Sequence, residues 1–234
     1  MKNIILLILL LTYAGSCREK TTDPVPTIDV GSPDLKYDQT RQLKVMQGSQ
    51  ILDFKSYIWK IDDESIGTVR ADGLFTARKV GESIISVSEQ NGKLLSQTKI
   101  VVTPYSTLCT EPITERGISS AAILSRERRS LNSKLHTRLD FFGENEKVKK
   151  VIYELNSQGN LEFSVLVLVN TKAVYEEAEL FLTERYPTHI TEEGMNYYLN
   201  DKRDQAIYVG KTNENEFKIS YTPQISGGLR KVQH

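Results

Sequence analysis

The chain has 234 residues, 39% of them hydrophobic, with 30 Lys and Arg against 30 Asp and Glu. That length allows one large domain or two small ones, and the apolar share excludes a chain disordered throughout. Zero net charge leaves no basic footprint for DNA or RNA, so nucleic acid is not an expected partner.

Lys2 precedes an unbroken apolar run over residues 4–11, followed by Ala14, Gly15, Ser16 and Cys17. The run is shorter than the roughly 20 residues of a membrane-spanning helix. Positive charge, a short apolar core and small residues form a secretory signal. The small residues ending on a cysteine resemble a lipobox, with Ala14 where Leu is usual. That resemblance implies a signal peptide over 1–16, removed on export, and acylation of Cys17. Each buried acyl methylene contributes about 0.8 kcal/mol, so two or more chains hold a protein on its membrane. Cys109, the other of the 2 cysteines, is then left without an intrachain partner. A Cys17–Cys109 bridge is the alternative. Residues 17–25, polar and with Pro, read as a short tether.

Residues 26–104 read as all-β, with short strands and recurrent turn signals. Leu43 and Val45 alternate with polar residues, and Tyr57, Trp59 and Ile61 share one face of a strand. A strand over 74–77 follows the Asp72-Gly73 turn. Ile85 and Val87 alternate with serines after Gly81. Asn91-Gly92 predicts a hairpin turn with both central residues at positive φ, and Ile100 and Val102 close the segment before Pro104. Trp59 is expected to anchor the core, at a cost of about 3–5 kcal/mol if cut to Ala. Gly73 and Gly81 are expected where other residues resist the backbone geometry.

The run Trp59-Lys60-Ile61-Asp62-Asp63-Glu64-Ser65-Ile66-Gly67-Thr68-Val69, then Asp72-Gly73-Leu74-Phe75-Thr76-Ala77 and Gly81-Glu82-Ser83-Ile84-Ile85-Ser86-Val87, resembles the bacterial immunoglobulin-like domain, group 2. The family pattern is a Trp strand, an Ile-x-x-Val turn, a Gly-led strand ending in Ala, and a Gly-led strand of small and β-branched residues. Lys60 and Ile61 depart from the small polar residues usual after the Trp, and Gly67 stands for a usual Ala. The resemblance implies an immunoglobulin-like β-sandwich.

Residues 105–117, rich in Pro, Thr and Glu, read as a linker kept packed by Leu108, Cys109 and Ile113. Residues 118–222 read as an α+β domain. A helix capped by Ser119 or Ser120 is predicted through about Leu131, with Ala121, Leu124 and Leu131 on one side. Strands follow over 137–142, 148–155 and 161–169, the last almost continuously apolar and so central. A second helix over 172–186 carries the stripe Val174, Ala178, Phe181 and Leu182. Strands over 195–199, 206–210 and 216–221 complete a repeated helix-plus-three-strand unit, with two helices covering an antiparallel sheet of four to six strands. The arrangement resembles β-lactamase-inhibitor-like folds. Together with Phe181-Leu182-Thr183-Glu184-Arg185-Tyr186, it also looks like the C-terminal half behind such immunoglobulin-like domains in bacterial lipoproteins. Residues 223–234 read as a flexible tail.

Little in the chain points to chemistry. His136, His189 and His234 have no second His at metal-ligand spacing, and no CxxC occurs, so no metal or cofactor is expected. Cys109 with His136 could form a thiol and its base, but a buried thiol acting as a small hydrophobe is the plainer reading. The clusters Asp62-Asp63-Glu64, Glu144-Asn145-Glu146 and Glu192-Glu193 read as solvated loops, the first with a conceivable calcium role. Arg126, Arg128 and Arg129 read as a polar helix face, or else as a patch for anionic lipid or glycan. No catalytic residue is assigned. The expected function is a non-enzymatic binding or adhesion module, held by Cys17 to the outer membrane or cell surface and recognising a protein or glycan. The alternatives are a periplasmic inhibitor or assembly factor, and a hydrolase with an unrecognised site.

Overall fold

The computed structural model describes residues 23–32, 34–53, 57–192, 195–211 and 216–223. Cys17, the signal segment 1–16 and the tail beyond Pro223 lie outside the described residues.

The N-terminal unit is built mostly from short strands, because most of its apolar residues alternate over short runs between turn residues; only the last two, Gly81–Glu89 and Leu94–Thr103, are long. The strands are β1 (Thr27–Asp29), β2 (Leu35–Lys36), β3 (Thr40–Gln42), β4 (Lys44–Gln47), β5 (Gln50–Ile51), β6 (Tyr57–Ile61), β7 (Gly67–Val69), β8 (Leu74–Ala77), β9 (Gly81–Glu89) and β10 (Leu94–Thr103). They form three small sheets, ordered β1-β4-β5, β2-β10-β9-β6 and β3-β8-β7. All three sheets turn apolar residues into one core: Ile28 and Val45 from the first, Trp59, Val87 and Val102 from the second, Phe75 and Ala77 from the third. At the β9–β10 turn only Gly92 takes positive φ, +88°. Asn91 works through its side chain instead, its carbonyl accepting the Lys93 N–H at 2.8 Å.

The C-terminal unit holds α1 (Ser120–Arg126), β11 (Leu131–Leu135), β12 (Arg138–Asn145), β13 (Val148–Leu155), β14 (Leu161–Leu168), α2 (Lys172–Thr183), β15 (His189–Glu192), β16 (Met195–Leu199), β17 (Gln205–Lys211) and β18 (Phe217–Pro223). Each half is thus a helix and four strands rather than three. The strands join in one eight-stranded sheet ordered β11-β12-β13-β14-β18-β17-β16-β15, larger than the four to six expected, and every neighbouring pair is antiparallel. The unforeseen strands are the two edges, β11 and β15.

Capping explains the helix bounds. Ser119 accepts the Ala122 N–H at 3.2 Å and Thr171 the Val174 N–H at 3.3 Å, satisfying donors that the first turn leaves free. The first helix stops at Arg126 and not near Leu131, because the Glu127 carboxylate accepts the N–H groups of Arg128 and Arg129, at 2.8 and 3.0 Å, and turns the chain away. Leu131 then pairs with Phe141 in the sheet, and Ile123, not Ala121 or Leu131, is the residue α1 buries. The second helix buries Val174, Ala178, Phe181 and Leu182, one stripe at helical spacing. Both helices share a core with the sheet residues Leu139, Tyr153, Leu166, Ile207, Ile219 and Tyr221.

The joining segment belongs to that core. Leu108 is fully buried within it, and Cys109 and Ile113 pack against it. The Asn145 amide donates to the Leu108 carbonyl at 2.8 Å. Ile113 gives its N–H to the Tyr153 hydroxyl at 3.2 Å, and its carbonyl accepts from Ser164.

Candidate functional site

Charged groups at the helix-side core are tied to one another. Arg129 pairs with Glu127 at 2.9 Å and Glu144 at 3.1 Å; the Arg129 and Glu127 side chains are only 6% and 4% exposed. Its guanidinium also donates to the Thr110 carbonyl, and the Thr110 N–H to Glu144. Burial pushes the Glu127 carboxyl up. The Tyr153 hydroxyl, the Arg129 amide and guanidinium and the Arg128 amide outweigh that, and hold it below its ordinary range. The basic run therefore divides: Arg129 is structural, Arg126 pairs with Glu115 at 2.7 Å, and Arg128 is exposed.

Cys109 is not set up as a nucleophile. Burial, with Glu144 beside it, pushes the Cys109 thiol up to about 12, the opposite of what a thiolate nucleophile needs. His136 sits in the exposed turn between β11 and β12. Asp63 caps its own turn, accepting the Ser65 N–H at 2.9 Å, while Asp62 and Glu64 face solvent. Among the described residues no three His, Cys, Asp or Glu side chains converge to hold a metal ion. His189 packs its ring on Tyr198, 5.6 Å between centroids. His234 and Glu193 lie outside the described residues.

Of the residues singled out in the N-terminal unit, Trp59 lies in the hydrophobic core, Gly73 in a turn beside it and Gly81 at the start of β9. Trp59 is 8% exposed and pairs across with Val87. Gly73 has φ +79°, and a Cβ there would meet the Leu43 carbonyl at 3.0 Å and Trp59 Cζ2 at 3.2 Å. Gly81 has φ +148°, with Ile66 Cδ1 2.6 Å from where a Cβ would stand.

The two faces of the eight-stranded sheet differ. Both helices and the joining segment cover one. On the other, Ile152, Val165 and Val167 form a small cluster of their own, joined by Phe163, with no helix residue in it. Because side chains alternate across a strand, the register fixes which residues accompany them. An unbroken row crosses all eight strands: Ser133, Asp140, Ile152, Val165, Ser220, Tyr208, Tyr197 and Ile190. Tyr197 and Tyr208 pack with ring centroids 5.6 Å apart. A parallel row runs Phe142, Lys150, Val167, Lys218 and Gly210, so two lysines flank the fully buried Val167. Toward the sheet margins Phe142 is 53%, Ile190 44% and Met195 40% exposed. The Arg138 guanidinium is neutralised on this face by Asp140 at 2.6 Å and Glu154 at 3.4 Å, whereas Lys150 and Lys218 have no ion-pair partner among the described residues.

Sequence alone did not assemble this face. Phe217, Ile219 and Tyr221 alternate visibly, but they point to the helices. Their neighbours Lys218 and Ser220 lie on the face without helices, half-buried, and read as ordinary solvent positions.

No protein-family model matches the chain, and no curated protein matches it. Among solved structures, the chain is similar to intimin in its complex with Tir90, at 17% identity and a TM-score of 0.27, over 44% of this chain and 56% of that one. It is similar to the C-terminal 282-residue fragment of intimin in complex with the translocated intimin receptor domain, at 15% identity and a TM-score of 0.28, over 50% and 58%. Domains 4 and 5 of the S-layer protein SbsC align over 87% of this chain and 89% of that one, at 10% identity and a TM-score of 0.26. The chain spans little more than half the length of the intimin chains it matches, and likeness at this level identifies neither its fold nor its activity.

Proposed function

We propose that the chain is a non-catalytic binding module of the bacterial cell envelope, held to a membrane through acylated Cys17. In this reading residues 26–104 are an immunoglobulin-like domain that spaces the molecule. Residues 118–222 are the α+β domain that binds, through the sheet face that carries no helix. The observation that carries the reading is the half-buried pair Tyr208 and Tyr197 with exposed Ile190 beside them, set over the buried Ile152, Val165 and Val167 on a face bordered by Lys150 and Lys218. Clustered aromatic rings give a large contact area at low entropic cost. Two lysines near half-exposed aromatic rings favour a protein partner that sets carboxylates around an apolar anchor.

A photo-crosslinking residue replacing Tyr208 in intact cells tests the binding face, with the exposed Gln97 of β10 as control position. A discrete adduct at 208, lost when Lys150→Glu and Lys218→Glu are added, supports a carboxylate-bearing protein partner. An adduct removed by glycosidase but not by protease moves the partner to a glycan, and labelling at 208 no stronger than at 97 overturns the binding face. The anchor is tested separately: Cys17→Ser should shift the protein from the membrane fraction to the soluble one, and unchanged fractionation overturns lipidation.

A further inference from the structure

The hexapeptide from Phe181 to Tyr186 ends α2 and begins the passage to β15, and the binding face makes no use of it. Its centre is Glu184, a carboxylate with 0% exposure. That carboxylate accepts the N–H of Tyr105 at 2.8 Å and of Ser106 at 3.1 Å, and pairs with the Arg185 guanidinium at 2.8 Å. Its own backbone carbonyl accepts the N–H of Val80 at 2.7 Å. Val80 lies at the corner that leads into β9 of the N-terminal unit, and Tyr105 and Ser106 follow β10. Arg185 is held in turn, 3.8 Å above the Phe181 ring and donating to the Phe181 carbonyl at 3.1 Å. Around the rim, Lys79 pairs with Asp201. The Tyr105 hydroxyl reaches Asp38 at 3.4 Å, and the Lys36 ammonium stands 5.9 Å from the centre of the Tyr105 ring.

We infer that Glu184 is a latch that locks the two units into one orientation. A carboxylate withdrawn from water is tolerated only where donors replace its hydration. Here two of the three donor groups come from the first residues of the joining segment, directly after β10, and a further N–H, from Val80 of the N-terminal unit, reaches the Glu184 carbonyl. Swinging the units apart strands the carboxylate without those partners. The segment after β10 therefore works as part of a rigid joint. A cleft of about 490 Å³, walled by Tyr37, Asp38 and Arg78 on one side and Pro187, Thr188 and Asp201 on the other, exists only while the latch is closed.

Hydrogen exchange of the full chain, read by mass spectrometry alongside small-angle scattering, tests this. In Glu184→Ala, segments 78–82 and 104–108 should exchange about tenfold faster or more, with β9 and β14 as protected as in the wild type and a larger radius of gyration. If that variant loses protection in β14 as well, Glu184→Gln decides, since it keeps one acceptor oxygen: both segments should accelerate about threefold with the cores intact. Wild-type exchange in both segments and an unchanged radius, in a variant whose cores stay protected, overturns the latch.

Discussion

The Tyr186 hydroxyl donates to the Glu111 carboxylate on the helix side of the eight-stranded sheet. Burial lifts the Glu111 carboxyl above its ordinary range, and the Tyr186 hydrogen bond and the Arg185 charge only partly offset it. The folded chain therefore holds this proton more firmly than the unfolded one. Its contribution is complete in acid and is lost as pH rises from the ordinary carboxylate value, about 4.3, through the raised folded value. Glu111→Gln removes that loss. Urea denaturation at about pH 4.5 and about pH 7.5 should show the variant gaining on the wild type by on the order of 1 kcal/mol at the higher pH. A stability difference that does not change with pH would contradict this.

Glu127 has the opposite sign. Its carboxyl is held below the ordinary range, so its stabilisation is present at neutral pH and is lost as pH falls through the folded value. The Tyr153 hydroxyl and then Arg129 supply that stabilisation. Arg129→Ala leaves a buried carboxylate short of its cation and should cost about 3–5 kcal/mol in urea unfolding. A cost below about 1 kcal/mol would class Arg129 with ordinary surface arginines.

Cys109 should be chemically silent in the native state. With the thiol pushed up to about 12, its thiolate fraction at about pH 8 is on the order of a thousandfold below that of a free thiol. In a Cys17→Ser chain, a thiol-reactive dye should label Cys109 slowly, and at the rate of a model thiol once urea unfolds the protein. Rapid labelling of the folded chain would disprove the burial.

A side chain added at Gly73 would press on the Trp59 ring, so their substitutions should not add. Trp59→Ala should cost about 3–5 kcal/mol. Gly73→Ala is strained by its φ of +79° and by its approach to Trp59 Cζ2. Removing the indole relieves part of that second conflict, so the double variant should lose less than the sum of the single ones by about 0.5 kcal/mol or more. Strict additivity would show that the strain is purely backbone.

What was legible in the chain was whatever burial writes as a period. The α2 stripe is fixed by Val174, Ala178, Phe181 and Leu182 because all four enter one core, and β6 alternates because Trp59 and Ile61 point inward while Ile58 and Lys60 do not. The edge strand β15 is exposed at every position and β11 at all but one, so neither carries a burial period. The buried polar groups were harder still. Glu184, Glu111, Glu127 and Arg129 are residue types that ordinarily face water, and their partners are backbone N–H groups or side chains distant in the chain. The one local trace was Glu184 and Arg185 enclosed between apolar Phe181, Leu182 and Tyr186.

The order of the eight strands also bears on how the sheet forms. Within each half every pairing joins chain neighbours, β11 through β14 and β15 through β18, and such hairpins close quickly. The single exception is the pairing of β14 with β18, where Ser164 meets Tyr221 and Leu168 meets Phe217. That seam closes a loop containing α2 and three strands, and long loops are what slow a folding chain. Two independently formed half-sheets waiting on one junction should make Leu166 and Ile219, buried partners at the seam, the positions where truncation slows folding more than it speeds unfolding.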